Sequence, residues 1–85
     1  MNNFLNNVSK ANRQFIRRLI KELNKEEFKA EKLYKYLSKK SHQPIMQDFG
    51  KLPKETKISA CVDSLAISLA GNDVSRDEIV NLLKK

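Results

Sequence analysis

A chain of 85 residues with only two glycines and two prolines reads as one domain, 1–85. It is too short for a second core and too poor in turn formers for a sandwich or barrel. Seventeen Lys and Arg against ten Asp and Glu give a formal charge of +7, and all of the excess lies before Ile58. Cys61 has no second cysteine to pair with, and no apolar run is long or continuous enough for a signal peptide or a membrane span. A small soluble protein of the cytoplasm is therefore expected.

Phe4, Leu5, Val8, Ala11, Phe15, Ile16, Leu19, Ile20 and Leu23 recur at helical spacing, interrupted only by Asn12, and predict a long amphipathic first helix over residues 3 to 23. Lys10, Arg13, Arg17 and Lys21 follow one another at intervals of three and four on its other face, with Arg18 beside them. Such a row is either a solvated face, a surface that follows phosphates, or the cationic side of a helix lying on an anionic membrane.

Asn24 as a cap, Glu27 three residues on, and Leu23 placed to staple onto Phe28 predict a second helix over residues 25 to 40. Ala30, Leu33, Tyr34 and Leu37 form its inward stripe. Lys25, Lys29, Lys32, Tyr36 and Lys39 form an outer strip in which lysines are interleaved with an aromatic, a cue for nucleic acid. Glu31 and Lys35 are spaced as a pair one turn apart. Residues 41 to 52 contain Pro44 and Gly50 and read as a connector, held down by Ile45, Met46, Phe49 and Leu52. His42, the one histidine, has no ligand companion and is expected in an exposed loop.

The nearly uncharged stretch from Ile58 to Gly71 organises the rest. Within a third helix over residues 53 to 70, Pro53 suits the first turn and Gly71 the end. Ile58, Cys61, Val62, Leu65, Ala66 and Leu69 fall on one broad face and predict the core. The opposite side, with Ala60, Ser64, Ile67 and Gly71, is small enough for close approach by a partner helix. Cys61 lies on the buried stripe and so reads as a small core residue. A fourth helix over residues 76 to 84 is signed by Ser75 as cap, Glu78 reaching back, and a Val74 to Ile79 staple. Its acidic start and the lysines at its end suit the helix dipole. The expected fold is all-α, a small bundle of four helices.

Enzyme chemistry lacks its usual parts here: there is no Gly-rich phosphate loop, no paired His and Cys, no Ser-His-Asp set and no metal cluster. Neither a cofactor nor a small-molecule substrate is expected. A helix-turn-helix fits poorly, because the turn from Gly71 to Ser75 is long and Asp77 and Glu78 would meet phosphates. The lead expectation is a small non-enzymatic regulator or inhibitor, of the kind phages and mobile elements encode. It would bind a protein partner, or a second copy of itself in a homo-oligomer, through Ala60, Ser64, Ile67 and Gly71. The alternative is a basic nucleic-acid-binding regulator using Lys10, Arg13, Arg17, Lys21, Lys29, Lys32 and Tyr36. Membrane-surface association through the first helix, with Phe4, Leu5, Phe15 and Ile16 inserted, ranks third.

Overall fold

The computed structural model describes residues 8–84. Among the described residues four α-helices follow in order, α1 (Lys10–Lys25), α2 (Glu27–Lys40), α3 (Lys54–Ala70) and α4 (Arg76–Lys84), with a 3-10 turn at Phe49–Lys51. No strand occurs among the described residues, and the fold is the small all-α bundle that periodicity implies.

Helix α3 is the centre of the packing. Ile58, Cys61, Val62, Leu65, Ala66 and Leu69 are all buried, as their spacing predicts. The helix packs mainly against α2 and α1, while α4 leans on α2. Facing it, α1 buries Phe15, Ile16, Leu19 and Leu23, and α2 buries Ala30, Leu33, Tyr34 and Leu37. Val8, Phe49, Val74 and Ile79 complete a single apolar cluster.

The ends of the first two helices differ from expectation. Val8 is buried outside the helix, and the Ser9 hydroxyl accepts the Asn12 N–H at 3.2 Å, so α1 starts at Lys10. Residues 3–7, where the start was expected, lie outside the described residues. At its other end α1 continues through Asn24, whose side-chain amide donates back to the Ile20 carbonyl instead of capping α2. The chain turns at Glu26, which has an extended backbone and ends α1 as it begins α2 without a side-chain cap. No staple forms, because Phe28 is 77% exposed. It stands two residues before Ala30, roughly 200° around the helix, and so points away from the stripe.

In the connector, Phe49 lies flat on Tyr34, with ring centroids 4.1 Å apart and planes within 1°. The Tyr34 hydroxyl accepts the Met46 N–H at 3.1 Å. These two contacts hold the segment, together with half-buried Leu52; Ile45 and Met46, expected to pack, are exposed. Their neighbour Pro53 precedes α3 as its cap residue and stays outside the first turn.

Helices α2 and α3 end in the same way. The His42 N–H donates to Lys39 O and the Gln43 N–H to Ser38 O. Asn72 and Asp73 make the matching bonds to Leu69 O and Ser68 O. Both reversals need a left-handed residue after the cap, supplied by His42 at φ 56° and Asn72 at φ 62°. Gly71, expected to end α3, is its cap residue but keeps an ordinary right-handed backbone. Asn tolerates the left-handed region, whereas the His42 Cβ is strained there. His42→Gly should therefore raise stability by up to about 1 kcal/mol, the relief of strain being partly offset by a more flexible unfolded chain. Asn72→Gly should be nearly neutral, and thermal melts of the two variants check the contrast.

Candidate functional site

The residues expected at a partner-binding face are spread along the outer side of α3. Ala60, Ser64 and Ile67 are half-buried and Gly71 is exposed. Two hollows lie elsewhere, on both sides of the start of α4. A groove of about 700 Å³ runs between α1 and α4, lined by Phe15, Arg18, Leu19, Lys21, Glu22 and Lys25 from one side and Ser75, Arg76, Asp77 and Val80 from the other. Its floor is apolar, since Phe15 and Leu19 belong to the core and Val80 packs against it. Four cations and two carboxylates form its rim. A smaller hollow of about 370 Å³ shares Ser75 and Arg76 and reaches Asn12, Leu69, Asn72, Val74 and Glu78. Neither is lined by the four α3 residues.

Local sequence explains why α4 presents its start to these hollows. The Ser75 hydroxyl accepts the Glu78 N–H at 3.2 Å, as a capping serine does. The Glu78 carboxylate does not reach back to complete the box. It accepts the Tyr36 hydroxyl at 2.8 Å and lies 3.9 Å from the Lys40 ammonium, which also stands 5.7 Å from the centre of the Tyr36 ring. This junction of α2 with α4 withdraws Tyr36 from the exposed strip expected of it. The hydrogen bond to Glu78, then partial burial, then the negative charge of Glu78 raise the Tyr36 pKa.

The basic residues fall into two groups. On α2, Lys29 pairs with Glu26 at 3.6 Å, and Lys32, half-buried, is not free. Glu31 pairs with Lys57 across the α2 to α3 interface at 3.2 Å, and not with Lys35. On α1, Lys10, Arg13, Arg17, Arg18, Lys21 and Lys25 make no ion pair among the described residues, and on α2 exposed Lys35 and Lys39 make none either. Glu22 is the one acid on that helix. Lys10, Arg17 and Lys21 are exposed; Arg13 is half-buried, with its Nε enclosed and lacking an acceptor.

Lys57 is the polar residue that stripe counting passes over. It is 6% exposed, although a lysine is almost never buried without a partner. The signal is present: Lys57 precedes Cys61 and Leu65 by one and two turns, so extending the stripe backwards places it inside. Ser68 extends the same stripe forwards, and its hydroxyl is buried without a partner. Cys61 donates its thiol to the Ala30 carbonyl at 3.1 Å. Burial pushes this thiol up to about 12, against a smaller opposing effect from the Tyr34 backbone, so at neutral pH it stays protonated and takes the part of a core residue.

Among the described residues no three His, Cys, Asp or Glu are grouped to hold a metal ion, and no helix is long and apolar enough to cross a membrane. In comparisons with family models, curated proteins and solved structures, nothing matches the chain.

Two substitutions check the polar junctions. Glu31→Ala leaves Lys57 charged and enclosed without its acceptor, and should cost about 1 to 3 kcal/mol. The lower part of that range applies, because Glu31 keeps over a third of its side chain in solvent. Tyr36→Phe removes a hydrogen bond worth about 1 kcal/mol at neutral pH. The Tyr36 pKa is raised in the folded state, so this contribution is fully present below the ordinary tyrosine value of about 10 and is lost as pH rises through the raised value. The melting temperatures of wild type and Tyr36→Phe should differ at pH 7 and converge at strongly alkaline pH.

Proposed function

We propose that this chain is a non-enzymatic regulatory protein that acts by binding a protein partner, with the groove between α1 and α4 as the principal docking surface. The groove itself is the observation that carries this reading. Its apolar floor, formed by Phe15, Leu19 and Val80, suits the apolar stripe of an amphipathic helix laid between two helices. The excess of cations over carboxylates on its rim suits acidic residues flanking that stripe. A binding role is also consistent with the fate of the reactive groups, since Cys61 is enclosed and protonated while Tyr36 and Glu78 serve a helix junction.

The small side of α3 is a weaker candidate for the same role. Ala60, Ser64 and Ile67 remain half-buried there and line neither of the two hollows, which suits a flat contact such as one with a second copy of the chain.

Site-specific photo-crosslinking in the cells that make the protein tests the choice. A crosslinker at Arg18 or Val80 should give one discrete protein adduct, and one at Lys35 on the outer side of α2 should give none. Combining Arg18→Glu with Lys25→Glu should weaken capture of that partner by at least about tenfold, because like charges would then meet across the rim. Adducts from Ala60 but not Arg18 would move the interface to α3. The absence of any protein adduct from either surface would refute the proposal.

A further inference from the structure

Most of the outward strip of α1 is not used by the groove. Lys10, Arg13 and Arg17 line neither hollow, and Lys21 stands at the boundary between the strip and the larger groove. The four cations climb about 16 Å along the helix axis, given its rise per residue. Gln14 and Arg18 stand between them in sequence and are exposed, as are Lys10, Arg17 and Lys21, while Arg13 is half-buried.

We infer that this strip, Lys10, Arg13, Arg17 and Lys21, is a binding surface for the phosphate backbone of a nucleic acid duplex, read without regard to sequence. Three observations favour that occupant. The cations are unpaired among the described residues although six of the chain's ten carboxylates precede Ile58, so their charge is not neutralised within the fold. The strip carries no apolar residue, whereas a protein interface has an apolar core and a phosphate backbone needs only cations and donors. A lipid surface is disfavoured because Phe15 and Ile16, which would have to enter the headgroup region, are locked in the core. Tyr36 plays no part, being tied to Glu78, so backbone contact without base stacking is the expected mode.

The strip and the groove can be tested separately, since neither Lys10 nor Arg17 lines the groove. Fluorescence anisotropy with a labelled 20-base-pair DNA duplex, measured across a salt series, supplies the readout. Wild type should give a slope of log affinity against log salt of about −3 to −4, as expected when about four phosphates are neutralised. Lys10→Gln with Arg17→Gln should reduce the magnitude of that slope by about 2 and leave the groove crosslink from Val80 intact. The control pair Lys35→Gln with Lys39→Gln removes the same charge from α2 and should leave the slope almost unchanged. Equal losses from both pairs would mean a net-charge effect and would overturn the inference. So would a wild type that does not bind the duplex, or one that binds anionic phosphatidylserine vesicles in preference to it.

Discussion

The double burial of α3 is the constraint on which the rest of the molecule depends. One face of this helix must satisfy α1 and α2 together, so it can carry almost no charge, and Cys61, Leu65 and Ala66 are closed off from solvent completely. Residues of different size along that face set how near each neighbour comes. A one-methylene change at such a position is felt because close-packed interiors leave little room to relax. The segregation of charge in the chain follows from the same requirement. Beyond Lys54 and Lys57 in its first turn α3 carries no cation, and most of the chain's cations lie on α1 and α2.

Polar contacts then fix the order in which helices stand against this centre. Lys57 reaches Glu31 from α3 to α2, Lys54 donates to the Asn24 carbonyl near the end of α1, and Tyr36 joins α2 to α4 through Glu78. Each links residues far apart in sequence; the Lys57 and Tyr36 contacts are partly shielded from water, whereas Lys54 and Asn24 meet at the surface. A shielded hydrogen bond contributes more to direction than to net stability, because leaving it unmade is more costly than making it is favourable. Apolar packing says only that helices adhere; these contacts select one arrangement of them.

The two surfaces proposed for binding arise from this arrangement by different routes. Helix α4 is short, at nine residues, and is anchored to α2 through the Tyr36 junction, so its start stands off from α1 and leaves the groove. The cation row of α1 needs no neighbour at all. It results from one helix burying a single stripe and turning its remaining circumference outward, which gives a surface of uniform sign where carboxylates are absent.

Much of the fold was legible in the residues themselves. The stripes of α2 and α3, the Ser75 cap, the burial of Cys61 and the four-helix count follow from periodicity and local hydrogen bonding, which depend on neighbours within a turn or two. The cap and staple expected around Asn24 failed because Phe28 and Asn24 fit a local pattern that competes with continuation of α1, and local patterns do not decide between themselves. Lys57 was legible only to a reader willing to extend an apolar stripe onto a lysine. The partners of Glu31 and Glu78 were not legible, since each carboxylate had a plausible mate or cap nearby in sequence and instead took one brought near by packing. The groove belongs to the same class. Sequence alone determined which residues turn inward on each helix, because that depends on the 100° step between residues; tertiary structure alone decided where two helices stand apart, because a hollow is a property of the distance between elements.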